Sequence, residues 1–204
     1  MPGTTPENIV SDETDVCIEG FPRSGNTFAN AYFRHFNPDL RVGHHIHLPG
    51  QLLRAIRFGT PRVMLVRHPR QATLSALVAG GGVVGPDLIL RSYISFYRRL
   101  LPVLDEIPVC PFDEVIGDPA AMVERLNERF DASFRYARLS AADSAALRAE
   151  MEGWARTGGY PPELQAITTA EKEKMKARWT EAVAEQPLLT TAADIHDEVL
   201  AGAA

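Results

Sequence analysis

The chain has 204 residues, enough for one domain with a substantial core, and its composition is 45% hydrophobic and 23% charged, ordinary for a globular protein. Its net charge of −5 excludes whole-surface attraction to nucleic acid or to an anionic membrane, so an anion site has to be local. All three lysines (Lys172, Lys174, Lys176) fall in one C-terminal charged run; every earlier basic residue is arginine, the better bidentate partner for phosphate or sulfate.

Residues 1–14 are polar and acidic and read as a flexible N-terminus ahead of a single domain over 15–204. They carry no signal peptide, and no apolar run is long enough to span a bilayer, so a reducing cytoplasm is the expected location. Val16-Cys17-Ile18 predicts a short buried strand, followed by a glycine-bearing loop over 20–28 and a helix over 27–36 that Asn37-Pro38-Asp39 ends. Residues 41–48 read as extended and precede an amphipathic helix through Arg57. Residues 62–66 predict a strongly buried strand, with a helix starting near Pro69, and 79–86 a loop loose enough to act as a lid.

A long helix is expected over 87–104, a short strand over 109–112, and a helix opened by Asp118 as N-cap and Pro119 at its first position. Residues 134–139 suggest another strand, and the last third reads as helical with a loop at 158–162. Cys17 and Cys110 lie in apolar strand patterns and read as buried free thiols. Strands alternating with helices imply parallel pairing through crossovers, hence a three-layer α/β/α domain with a central parallel sheet.

Three stretches carry chemistry. The first, Gly20-Phe21-Pro22-Arg23-Ser24-Gly25-Asn26-Thr27-Phe28, has the frame of a phosphate-binding loop, but Asn26 stands where a nucleotide-triphosphate loop has lysine. A strand–loop–helix unit converges amides and a helix N-terminus on one point, and Arg23 adds a charged fork within the turn. The second, Arg67-His68-Pro69 with Ser75, places an arginine at the carboxyl end of a buried strand and a hydroxyl two turns into the next helix. The third is His44-His45-Ile46-His47-Leu48-Pro49. Histidines at alternating strand positions fit metal ligation, core packing, or a general base among them.

Together these stretches resemble the cytosolic sulfotransferase family, which uses 3′-phosphoadenosine 5′-phosphosulfate (PAPS). The family's loop, Tyr-Pro-Lys-Ser-Gly-Thr-Thr-Trp, is matched in register by residues 21–28, and its Lys-Thr-His-Leu-Pro stretch by His45-Ile46-His47-Leu48-Pro49. Its Arg-Asn-Pro segment, with a serine eight residues after the arginine, is matched by Arg67-His68-Pro69 and Ser75, and its Tyr-Glu-Asp-Leu segment by Phe112-Asp113-Glu114-Val115. The likeness is specific from Val16 to Ser75 and thins beyond about Phe130, where Arg156-Thr157-Gly158 is the candidate for the family's closing Arg-Lys-Gly.

The resemblance implies a transferase moving the sulfuryl group of PAPS, a co-substrate, to a hydroxyl or amine on a small-molecule or carbohydrate acceptor, with His47 as in-line general base. It implies that Arg23 neutralises the leaving phosphate, that Ser24, Gly25, Asn26, Thr27 and Phe28 hold the phosphosulfate and adenine, and that Arg67, Ser75 and Arg156 hold the 3′-phosphate. Arg23 replaces the family's lysine, Phe28 its tryptophan, and His45 a position where lysine is frequent. The scheme calls for no metal, no nucleic acid and no membrane span, and leaves the oligomeric state open. Two alternatives stand beside it: a P-loop kinase or NTPase using ATP and magnesium, and a catalytically silent nucleotide-binding protein.

Overall fold

The structure is a computed structural model that describes residues 6–157 and 170–202. Its centre is a four-stranded, all-parallel sheet in the order β2-β1-β3-β4, formed by β1 (Val16–Gly20), β2 (Val42–His44), β3 (Arg62–Val66) and β4 (Val109–Pro111). The pairings are in register at Ile18 with His44, Gly20 with Leu65, and Val66 with Pro111. All four strands therefore end at one edge of the sheet.

Alternation along the strands sorts the core into two faces. Val16 and Ile18 of β1 and Val63 and Leu65 of β3 face a cluster completed by α1 (Asn26–Phe36), α5 (Phe112–Gly117), α6 (Pro119–Phe130) and α7 (Ala141–Thr157). Cys17, Met64 and Val66 face the opposite cluster, with α2 (Gly50–Phe58), α3 (Pro69–Ala79), α4 (Pro86–Arg98), α8 (Ala170–Ala184) and α9 (Leu188–Ala201). Helices on both faces of a parallel sheet make the three-layer α/β/α architecture expected from the alternation of elements. Both cysteines are buried free thiols. Among the described residues no helix is long and apolar enough to cross a membrane.

The order of strands explains where a ligand would sit. The chain leaves β1 towards β2 on one side and returns to β3 on the other, so the crevice outside the carboxyl ends of β1 and β3 is a topological switch point, the usual ligand position of open α/β sheets. Gly20 is required at the end of β1: a Cβ there would lie 2.4 Å from the Leu65 carbonyl oxygen of β3.

Three local readings are corrected. Residues 134–139 form no strand. Asn127 exchanges two hydrogen bonds with the backbone of Phe134, and Asn37 two with that of Arg135, so these side chains supply the partners a neighbouring strand would have given. The helix expected over 87–104 stops at Arg98 and gives way to a 3-10 segment, Leu101–Glu106; Pro102 has no N–H to donate and disfavours the α conformation of the residue before it. The extended stretch over 41–48 shrinks to β2, because His45 and His47 both adopt positive φ, 56° and 55°.

In the 79–86 connection, read as a possible lid, Gly82 lies against α8, where a Cβ on it would stand 2.5 Å from the Trp179 ring, while Val83 beside it is 89% exposed. In the N-terminal stretch Val10 is buried and its amide donates to Gln51 Oε1 (3.1 Å).

Candidate active site

The loop after β1 turns through two left-handed residues, Arg23 (φ 72°) and Gly25 (φ 94°). Gly25 is the N-cap of α1 and offers no side-chain cap, so the opening amides of the helix keep their orphan donors. Among the described residues no hydrogen bond engages the amides of Gly25, Asn26, Thr27 or Phe28. Unpartnered N–H groups at the positive end of a helix favour a bound anion.

Asn26 works on the back of the loop. Its Nδ2 donates to the Phe21 carbonyl (3.1 Å) and its side chain is buried, so it closes the turn where a nucleotide-triphosphate loop would send lysine forward. Ser24 is also set apart from the other site residues: it is fully buried, its amide donates to the Phe21 carbonyl (3.2 Å), and its Oγ lies 3.5 Å from the Tyr97 hydroxyl. Phe28 is half-buried and leans on the α1 face of the core.

The two arginines meet across the switch point. Arg23 Nε donates to Ser75 Oγ (3.0 Å), and Arg67 donates to the Arg23 carbonyl oxygen (2.9 Å). The Arg67 guanidinium lies 3.8 Å from the centroid of the Phe112 ring, which packs in turn near Gly25. Burial, with the charge of Arg23 second, holds Arg67 down at about 10, while Asp113 and Glu173 pull the other way; burial also lowers Arg23. Two adjacent guanidiniums in a partly buried crevice gain from a shared anion. The loop, Arg23, Arg67 and Ser75, named separately from the sequence, thus form one cluster. The side chain of Arg156 and the loop at 158–162 lie outside the described residues.

The third stretch closes the site from the β2 side. His45 Nε2 is 3.1 Å from Thr27 Oγ1, and its Nδ1 is 2.6 Å from His44 Nδ1. One ring must donate to the other, so the two cannot both be doubly protonated in this arrangement. Burial drives both imidazoles down, His44 to about 4 with Arg34 and His47 adding, and His45 to about 3 with His44 and His47 adding. Their side chains contact each other, and His45 also meets Thr27 and the ring of His47. Among the described residues, no group of three or more His, Cys, Asp and Glu side chains is arranged to hold a metal ion.

His47 behaves differently. Its Nδ1 is 3.0 Å from the Gly20 carbonyl oxygen and 3.3 Å from Glu19 Oε1, while no described residue hydrogen-bonds its Nε2. Burial opposes its protonation, yet the bond and charge of Glu19, with the Gly20 carbonyl, outweigh burial and raise its pKa. Nearby Arg23 works against that rise, which also places His47 within electrostatic reach of the loop's guanidinium.

Sequence reasoning missed Glu19. It is wholly buried at the end of β1, and its carboxylate accepts from the amides of Gly20 (3.0 Å), Ile46 (2.9 Å) and His47 (3.1 Å). The left-handed turns at His45 and His47 aim the latter two amides at one oxygen, a small anion nest filled by the protein's own carboxylate. The available signal was an acidic residue inside Val-Cys-Ile-Glu-Gly, a run otherwise apolar enough for a buried strand.

No family model, curated protein or solved structure matches this chain.

Proposed function

We propose that this protein is a sulfotransferase that moves the sulfuryl group of PAPS onto an acceptor hydroxyl. The observation that carries the reading is the convergence, at the carboxyl edge of the sheet, of free helix-start amides, paired Arg23 and Arg67, and a histidine tied only through Nδ1. The amides from Gly25 to Phe28 and the Thr27 hydroxyl would hold the phosphosulfate, Arg23 would meet the charge growing on the leaving phosphate, and Arg67 with Ser75 would take the 3′-phosphate.

In the reaction the acceptor oxygen forms a bond to sulfur as the bond from sulfur to the 5′-phosphate oxygen breaks. The phosphate leaves with that electron pair, and the acceptor's proton passes to His47 Nε2. Positioning and charge stabilisation supply most of the acceleration, as in phosphoryl transfer. The kinase alternative gains no lysine from this site, since Asn26 is turned back into the loop.

Transfer of labelled sulfuryl from PAPS to a panel of hydroxylated acceptors tests the proposal. His47→Ala should lower turnover by about a hundredfold or more while leaving affinity for the desulfated nucleotide within a factor of two or so. Arg67→Ala should do the reverse, weakening that affinity by about tenfold or more. Turnover retained in His47→Ala would remove His47 from the base role.

A further inference from the structure

We propose that Glu19 is a positioning residue for His47, a carboxylate that fixes the imidazole with its proton on Nδ1 and leaves Nε2 as the basic atom. The catalytic meaning of this inference rests on the sulfuryl-transfer reading; its physical content does not. Nothing in the family resemblance assigns a role to this position.

A carboxylate taken wholly out of water is tolerated only where its oxygens are fully engaged. Glu19 Oε1 meets the Gly20 amide and His47 Nδ1, and Oε2 meets the amides of Ile46 and His47. One side chain from β1 therefore grips both the ring of His47 and the backbone that carries it. The left-handed conformation of His47, uncommon for a non-glycine residue, is held by the same two amide bonds.

The ring faces two acceptors at Nδ1, the Gly20 carbonyl and the Glu19 carboxylate, and neither can donate to it. The neutral imidazole must then carry its hydrogen on Nδ1, which leaves the Nε2 lone pair for a substrate proton. The other charged or titratable groups that act on His47 are Arg23 from the loop and His44 and His45 from its own segment, and none of them offers an acceptor charge. Glu19 is thus the group able to stabilise the imidazolium formed when Nε2 takes a proton, the part played by the third member of a nucleophile–base–carboxylate array.

Nitrogen-detected NMR of the full chain, with histidine imidazoles labelled, tests this without an acceptor in hand. Neutral His47 should be the Nδ1–H tautomer and should titrate above the ordinary histidine range; in Glu19→Gln its midpoint should fall by about one pH unit or more. An Nε2–H tautomer, or an unmoved midpoint in a folded Glu19→Gln, overturns the proposal. Should that variant not fold, the Glu19 carboxyl carbon of the wild-type protein decides instead. It should show an inflection at the His47 midpoint that vanishes in His47→Gln, and a flat trace overturns the proposal.

In a transfer assay Glu19→Gln should lower kcat by about tenfold or more, with affinity for the desulfated nucleotide unchanged. If PAPS proves not to be a donor while the tautomer and the midpoint shift are as stated, the sulfuryl-transfer reading fails and the positioning role stands.

Discussion

At the scale of residues, the three neighbouring histidines are driven in opposite directions by what surrounds them. Burial presses His44 to about 4 and His45 to about 3, whereas the Glu19 bond lifts His47 despite its burial. For the first two, the folded pKa lies below the unfolded value near 6.5. Their contribution to stability is present above that value and is lost as pH falls towards 4 and then 3. For His47 the sign reverses: its contribution is full below about 6.5 and is lost as pH rises through the raised folded value.

Melting temperature should therefore fall between about pH 6.5 and 4, each proton gained on unfolding steepening the loss by about 1.4 kcal/mol per pH unit. The double variant His44→Asn, His45→Asn should show a shallower acid slope in a melting series, and parallel curves would contradict the assignment. Transfer should instead increase as pH rises through the His47 midpoint, because only the neutral ring accepts a proton. The pattern of histidines was visible in the sequence, but their division of labour was not. It depends on Glu19 and on two left-handed turns that alternation along a presumed strand could not reveal.

At the scale of elements, the unit β1–loop–α1 sets the geometry of everything else, and its two glycines do different work. Gly20 allows β1 to lie against the Leu65 carbonyl, and Gly25 supplies the left-handed turn that starts α1 beside Phe112. Gly20→Ala forces backbone apart and should cost about 3 kcal/mol or more, while Gly25→Ala pays chiefly the left-handed penalty of about 1–2 kcal/mol. Urea denaturation of both variants checks this order, and a cheaper Gly20→Ala would contradict the packing described. This unit was legible because apolar runs, glycine spacing and a following helical pattern are local signals. The missing strand over 134–139 was not: its backbone is satisfied by Asn37, about a hundred residues earlier in the chain, and by Asn127 across a turn, and side-chain ladders of that kind leave no periodicity.

At the scale of the whole molecule, a doubly wound parallel sheet brings the ends of four strands to one edge, and the site draws on three of them together with the start of α5. That long-range meeting explains how motifs more than forty residues apart, Arg23 and Ser75 above all, become direct partners. The charge balance fits the same picture: in a chain of net charge −5, the proposed anion site would be local, a pair of arginines over a helix start. The proposed function requires that this edge bind a 3′-phosphorylated adenosine donor. Thermal melting with PAPS or its desulfated product, set against ATP with magnesium, tests it most directly. At a hundred times its dissociation constant the desulfated nucleotide should add about 2.7 kcal/mol of stability, a gain that Arg67→Ala largely removes at the same concentration. Stabilisation by ATP with magnesium and none by the 3′-phosphorylated nucleotide would contradict the account.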